Sequence, residues 1–213
     1  MIHCIGDSHA AVFSGVDEMV PTWPERSNDT IEYFRSYRIG AATAYQLESK
    51  IPILNDIISR CVRKEDSVLF CFGEVDIRAH LLKQAELQGV LVSDIVNECV
   101  DRYFQVILYY KQLGYNTIAW GPIASHHDAR PYVGGPTFGN CLERNLVTEM
   151  FNNRLELRCN QYSVGFVTIF PKMIDVNKIT VLGYLDDWTD SHIHLTQAAM
   201  PLILESLQEK GFI

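Results

Sequence analysis

The sequence predicts an α/β fold built around a mostly parallel β-sheet. Three observations lead to this prediction. Short apolar segments alternate with segments of helical periodicity along the chain. The run Val68–Phe72 is apolar without interruption, which is typical of a parallel strand covered on both faces. The composition of the 213 residues, with 47% hydrophobic and 21% charged side chains, is that of a globular protein.

The first third of the chain is expected to contain three strands and one helix. The strands are predicted at Ile2–Ile5, within 31–40 and at Val68–Phe72. A polar loop with prolines, from about 16 to 30, separates the first two strands. The helix should run from Ala41 towards Arg60 with a break at Pro52, because a proline ring cannot continue a helix interior.

The rest of the chain is expected to add two strands and three helices. Ser93 is predicted to cap a helix that reaches Leu113. Asn140 and Glu143 have the spacing of a capping box, which predicts the start of a second helix. A last helix should follow Thr196. The strands are predicted at 116–122 and 164–170.

Composition and charge exclude several classes of protein. The net charge of −8 argues against nucleic acid as the main partner. The six cysteines include no Cys-x-x-Cys pair, so a zinc ribbon or a redox motif is not expected. Scattered free thiols fit a reducing compartment, and together with the lack of a visible signal peptide they predict a cytoplasmic location.

The chain is expected to form one domain over residues 1–213, because its length suits one core and no linker divides it. No apolar run approaches the roughly 18–20 residues that a membrane span needs. Two possibilities stay open, a whole small enzyme and one domain of a longer protein. The sequence says nothing about the oligomeric state.

Three polar groups follow strands or precede the last helix, and they are candidates for a site. They are Gly6–His9, Gly73–Asp76, and the pair His192 and His194. Ligands of open parallel sheets bind beyond the carboxyl ends of the strands, so these groups should converge at one edge. Ser8 would lie at a strand-to-helix turn, where free N–H groups can stabilise an oxyanion.

A serine nucleophile needs a base, and His194 is the best candidate because it lies just before the predicted last helix. A carboxylate is expected to orient its imidazole. The nearby candidates are Asp190 and Asp187.

Four short blocks resemble those of the SGNH (GDSL-type) hydrolase family, and they occur in the family's order. They are IGDSHA (5–10), RIGAAT (38–43), FGEVDIR (72–78) and TDSHIHLT (189–196). The resemblance implies a three-layer α/β/α sandwich with a flavodoxin-like, mostly parallel, five-stranded sheet. It also implies ester hydrolysis through an acyl-serine intermediate, with no metal and no cofactor. Ser8 would be the nucleophile, His194 the base and Asp190 its orienting acid, while Ser8 and Gly40 would donate backbone N–H groups to the oxyanion.

The sequence departs from the family pattern at two positions. Val75 stands where the family has an asparagine that donates to the oxyanion, and losing one such donor costs about 10²–10³ in kcat. Arg78 and His80 are candidates to replace it. Ser191 stands three positions before the base, where the family has its acid. Either a bulge brings Asp190 to His194, or the site is a Ser–His dyad assisted by a backbone carbonyl or by Asp187.

Six further residues are candidates for substrate binding, and each has a structural alternative. Asp7 could instead cap the helix that follows the Gly6 turn. His9 could form the pocket wall or the start of a helix, and His126 could be a solvated loop residue. Asp76 and Arg78 could form a structural ion pair, and Glu74 could do the same. The six candidates are Asp7, His9, Glu74, Asp76, Arg78 and His126.

The function that this pattern favours is a serine esterase or deacylase acting on a small-molecule acyl ester. The loop 123–139 is polar, which favours an O-acetylated carbohydrate over a long-chain lipid. An O-acyltransferase acting on a sugar hydroxyl is an alternative that the sequence does not separate from a hydrolase. A catalytically silent binding module is a second alternative, motivated by Val75.

Overall fold

The computed structural model describes residues 1–25, 31–185 and 191–213. Five strands form one sheet in the order β2-β1-β3-β4-β5, and all four pairings are parallel. The strands are β1 (Ile2–Gly6), β2 (Phe34–Arg38), β3 (Ser67–Cys71), β4 (Asn116–Trp120) and β5 (Gly165–Val167). The predicted α/β fold with a five-stranded parallel sheet is therefore confirmed.

The strands are apolar because both faces of the sheet are covered. Side chains alternate between two hydrophobic clusters, so that Ile5 and Phe70 enter one cluster while Cys4 and Leu69 enter the other. All five residues of β1 are buried. Such burial on both faces is what the uninterrupted apolar run in β3 predicts.

Helices cover the two faces. The α-helices are α1 (Ile51–Cys61), α2 (Glu74–Asp76), α3 (Leu82–Gln88), α4 (Val92–Gln112), α5 (Cys141–Gln161) and α6 (Met200–Glu209). Side chains of α1, α4 and α5 lie in the first cluster. Side chains of α6 and of a 3₁₀ helix at Ser8–Ser14 lie in the second. The sheet thus lies between two helical layers.

Three local predictions are wrong, and one helical segment is missing from the prediction. Pro52 lies in the first turn of α1 and does not break the helix, because a proline at that point loses no intrahelical hydrogen bond. The residues before it form only a 3₁₀ turn at Leu47–Lys50. Helix α4 begins at Val92 rather than after a Ser93 cap. A helical segment from Glu74 to Gln88, with π-helical geometry at 77–81, was not predicted.

The other predicted helix starts agree with the structure. Asn140 caps α5 through a complete capping box with Glu143. A short 3₁₀ turn after Thr196 leads into α6. Strand β1 lies between β2 and β3, so the chain crosses to opposite sides of β1 in succession. A crevice beyond the ends of β1 and β3 is the usual ligand position in such sheets.

Candidate active site

The turn after β1 presents Ser8 at the carboxyl edge of the sheet. An added Cβ at Gly6 would lie 2.5 Å from the carbonyl oxygen of Cys71, so glycine permits the close approach of β1 and β3 here. The Oδ1 atom of Asp7 accepts a hydrogen bond from the backbone N–H of His9 at 2.9 Å and caps the 3₁₀ helix. Ser8 is the first residue of that helix and is half-buried.

Ser8, Gly40 and Val75 line one cleft of about 500 Å³. Gly40 has a φ of 80°, a left-handed conformation that favours glycine. The two residues that the sequence predicts as oxyanion donors therefore face the same space, together with the valine that replaces the family's asparagine. His80, one of the two candidate replacement donors, also lines this cleft. The other, Arg78, is engaged elsewhere.

A buried ion-pair network lies directly behind the Ser8 turn. The carboxylate of Glu74 accepts hydrogen bonds from His9 Nε2 and from Arg78 Nε, both at 2.8 Å. All three side chains are only 6% exposed. Three of the six predicted substrate-binding residues are thus brought together, but they bind one another. The predicted alternative of an ion pair between Asp76 and Arg78 is wrong, because Arg78 pairs with Glu74.

The charges in this network shift one another's proton affinities. Burial alone would raise the pKa of Glu74, but His9 and Arg78 lower it to about 2. Burial alone would lower the pKa of His9, but the carboxylates of Glu74 and Asp7 raise it above its usual value. Burial raises the pKa of Asp7 to about 6. Glu74 is therefore ionised at neutral pH, and His9 is biased towards its charged form.

Arg78 connects the network to the polar loop 123–139. Its Nη1 atom donates to the carbonyl oxygen of Pro136 at 2.7 Å, and its guanidinium lies 4.3 Å from the ring centre of Tyr132. The backbone N–H of Phe138 donates to the carbonyl oxygen of Arg78 at 2.8 Å. The side chain and the backbone carbonyl of Arg78 therefore both hold the end of the loop against the site.

His194 lies next to His9. Their ring centres are 4.9 Å apart with a tilt of 40°, and His194 is buried. Because His9 follows Ser8 directly, the two predicted catalytic residues lie in one neighbourhood. Within the described residues the Ser8 hydroxyl forms no hydrogen bond. Catalytic hydrogen bonds are often long before substrate binds.

The Nδ1 atom of His194 lies 3.1 Å from the hydroxyl of Ser191. The residue three positions before the predicted base is therefore in hydrogen-bond contact with its imidazole. Asp190 and Asp187, the predicted carboxylate partners, lie outside the described residues.

Asp76 is buried beneath the loop that carries Gly40. Its two carboxylate oxygens accept hydrogen bonds from the backbone N–H groups of Ala44 and Tyr45, at 2.7 and 3.1 Å. Burial raises the pKa of Asp76, and these N–H groups oppose that rise. The carboxylate therefore holds the loop after Gly40 in place.

His126 is buried rather than solvated, with 3% of its surface exposed. Burial and the charge of Arg144 lower its pKa to about 4. Arg144, only 1% exposed, donates to the Ser125 hydroxyl at 2.5 Å and to the His126 carbonyl oxygen at 3.0 Å. It also donates to the carbonyl oxygen of Gly139. The sequence analysis missed this arginine, since nothing in the sequence distinguishes it from a surface residue of α5.

The described residues show neither a metal cluster nor a membrane segment. No three histidine, cysteine, aspartate or glutamate side chains within 1–25, 31–185 and 191–213 are grouped so as to hold a metal ion. No helix in the same ranges combines the length and the apolar character needed to cross a bilayer.

Known structures share this fold. An acetylxylan esterase from Geobacillus stearothermophilus, studied as a catalytic mutant, is 18% identical with a TM-score of 0.61 over 100% of this chain and 94% of that one. A phospholipase A1 from Streptomyces albidoflavus is 16% identical with a TM-score of 0.55 over 99% and 98%. No protein-family model and no curated protein matches the sequence. The chain therefore has the fold of the SGNH-type acylhydrolases, to which its four sequence blocks also point.

Proposed function

We propose that the protein hydrolyses acyl esters with Ser8 as the nucleophile and His194 as the general base. The observation that carries this proposal is that Ser8 and Gly40 line one cleft. The ring centre of His194 lies 4.9 Å from that of His9, the residue after Ser8. This is the sheet edge where parallel α/β proteins bind ligands.

The chemistry follows the acyl-serine route. Ser8 Oγ attacks the carbonyl carbon of the ester while His194 accepts the hydroxyl proton. The N–H groups of Ser8 and Gly40 stabilise the oxyanion of the tetrahedral intermediate. Its collapse expels the alcohol, which takes the proton from His194. Water, activated by His194, then attacks the acyl-serine and releases the free acid and Ser8.

The hydroxyl of Ser191, 3.1 Å from Nδ1, helps to orient the His194 ring, and Asp190 is the acid that we propose beside it. Val75 cannot donate a hydrogen bond. The exposed imidazole of His80, on the same cleft, is the side chain that we propose as the replacement donor. With two backbone donors only, kcat would be about 10²–10³ lower than with three.

We propose a small acyl ester of a carbohydrate as the substrate class. Hydroxyl and amide side chains line the cleft, among them Thr43, Gln46 and Ser49, and these groups suit a sugar better than an acyl tail. A second cleft of about 400 Å³ shares Thr43, Gln46 and His80 with the first and adds Gln84 and Gln88. The neighbour with the same fold is an acetylxylan esterase, which supports this class.

The test is labelling with a fluorophosphonate and turnover of 4-nitrophenyl acetate. Wild-type protein should be labelled and active, and Ser8→Ala should lose both properties. Ser59→Ala is the matched control, because Ser59 is an exposed serine on α1 whose one hydrogen bond within the described residues goes to the Asp56 carbonyl oxygen. Folded wild-type protein that is not labelled would instead favour the silent binding module. Labelled protein that forms a sugar ester rather than free acid would favour the acyltransferase.

A further inference from the structure

The cleft beside Ser8 carries two cationic side chains, Arg38 and Lys50, which the sequence analysis did not single out. Both line the same space as Ser8 and Gly40, and both are half-buried. The chain as a whole is acidic, with 26 aspartate and glutamate residues against 18 lysine and arginine residues. A local concentration of positive charge beside the nucleophile therefore runs against the overall charge.

Arg38 is held with part of its guanidinium free for a ligand. It is the last residue of β2 and pairs with Gly6 in the sheet. Its Nε atom donates to the carbonyl oxygen of Val20 at 2.6 Å. Within the described residues its Nη atoms have no carboxylate partner. A guanidinium fixed through Nε in this way can present its other N–H groups to an oxyanion as a fork.

Lys50 comes from a different element and reaches the same cleft. It ends the 3₁₀ turn Leu47–Lys50 just before α1. Its ammonium group has no ion-pair partner in the part of the chain that the structure describes. Elsewhere the described lysines include pairs such as Lys172 with Glu205 at 2.6 Å. Lys50 is thus available to a ligand.

Opposing charge in this cleft is weak. The one described carboxylate that lines it is Asp7, which is 2% exposed and accepts the N–H of His9. Burial raises the pKa of Asp7 to about 6, which reduces its negative charge in mildly acidic solution. The cleft therefore has a net preference for anions.

Building on the proposed function, we propose that the ester which this cleft accepts carries an anionic group, a carboxylate or a phosphate, that binds Arg38 and Lys50. The anion belongs to the part of the substrate that remains after the acyl group is removed. Acylated acidic sugars and acylated sugar phosphates share this chemistry. Charge-assisted hydrogen bonds to such a group would orient the ester towards Ser8.

The test compares matched esters that differ in charge. The carboxylate pair is 4-acetoxybenzoate and its methyl ester, and the phosphate pair is 4-acetoxyphenyl phosphate and its dimethyl ester. The readout is the ratio of kcat/KM for the anionic ester to kcat/KM for the neutral ester. A substitution that slows the hydrolysis of both esters equally leaves this ratio unchanged. The pair with the larger ratio identifies the anion.

Arg38→Gln and Lys50→Gln should each lower the ratio by about tenfold, which is the lower end of the range for hydrogen bonds to charged groups. Lys83→Gln, at an exposed position outside the cleft lining, should leave it unchanged. Adding 0.5 M NaCl should lower the wild-type ratio through screening. Lys50→Gln keeps the test valid if Arg38→Gln disturbs folding.

Two results would have different meanings. Turnover of both members of each pair, with the same ratio in wild type and in the two variants, would overturn this inference alone. No turnover of any of the four esters, together with no fluorophosphonate labelling of Ser8, would overturn the proposed function as well.

Discussion

Replacement of Glu74 by glutamine tests the buried network behind the Ser8 turn. The substitution keeps the shape of the side chain but removes the carboxylate that joins His9 to Arg78 through two 2.8 Å hydrogen bonds. Arg78 then remains buried without its counter-charge. Removing one partner of a buried ion pair costs about 3–5 kcal/mol, because the other charge is left uncompensated.

The pKa of Glu74 gives a second estimate of this cost. Its neighbours lower the pKa from 4.5 to about 2. At about 1.4 kcal/mol per pH unit, this corresponds to about 3 kcal/mol of stabilisation of the folded state. We therefore expect Glu74→Gln to lower the free energy of unfolding by about 3 kcal/mol at pH 7.

The pH dependence has a definite sign. Because the pKa of Glu74 is lower in the folded state, its stabilisation is complete above about pH 4.5 and is lost as the pH falls towards 2. The unfolded chain takes up the proton first in that range. The difference between wild type and variant should narrow from about 3 kcal/mol at pH 7 to about 1 kcal/mol at pH 3.

Urea denaturation at pH 7 and pH 3 measures both quantities. The matched control is Glu205→Gln, which also removes a carboxylate from an ion pair, with Lys172 at 2.6 Å, but whose side chain is 57% exposed. Exposed pairs contribute under about 1 kcal/mol. A Glu74→Gln loss no larger than that of the control, or a difference that is the same at both pH values, would refute the reasoning.

Three further predictions concern the frame of the site. Asp76→Asn should cost about 1–3 kcal/mol in unfolding free energy and lower kcat/KM, because an amide cannot accept both loop N–H groups. An Asp76→Asn variant with unchanged unfolding free energy and unchanged kcat/KM would show that the loop after Gly40 needs no carboxylate. Gly6→Ala should lower the Tm more than Gly89→Ala. The Cβ at position 6 would lie 2.5 Å from the Cys71 carbonyl oxygen, while the Cβ at position 89 has no neighbour within 4 Å and costs only the strain of a left-handed φ of 64°. Equal losses would contradict the close approach. His126→Gln should flatten the fall in stability between pH 6.5 and pH 4, because His126, with its lowered pKa, is protonated more readily in the unfolded chain. An unchanged pH profile by urea denaturation would argue against that lowered pKa.

The sequence predicted the sheet well because burial on both faces leaves a direct mark on composition. The apolar run of β3 and the glycine that ends β1 locate two neighbouring strands without knowledge of their partners. The order of the strands and their register depend on pairing between distant segments, which local patterns do not encode. The resemblance to a known family supplied the five-stranded sheet.

The candidate site was predictable in its motifs but not in its contacts. Ser8 and Gly40 follow strands and could be located from the sequence. The bond between His9 and Glu74 joins residues 65 apart, and no local pattern predicts it. The pairing of Glu74 with Arg78 has helical i, i+4 spacing. The sequence analysis allows Glu74 an ion pair but does not name Arg78 as its partner, because the irregular helix at 74–88 is not recognisable from the sequence.

The attachment of Arg78 to the loop 123–139 divides that loop into a part whose sequence can be changed and a part whose backbone must be kept. Pro136 and Phe138 are tied to Arg78 by backbone groups, so the conformation of the chain at 136–138 matters more than its side chains. The stretches 129–131 and 133–135 are exposed. Asp128, which accepts a hydrogen bond from the buried Arg144, and Tyr132, whose ring lies on the Arg78 guanidinium, belong to the anchor. A foreign sequence grafted into this loop should therefore replace those outer stretches and retain the anchor, since moving the anchor would disturb the ion pairs behind the Ser8 turn.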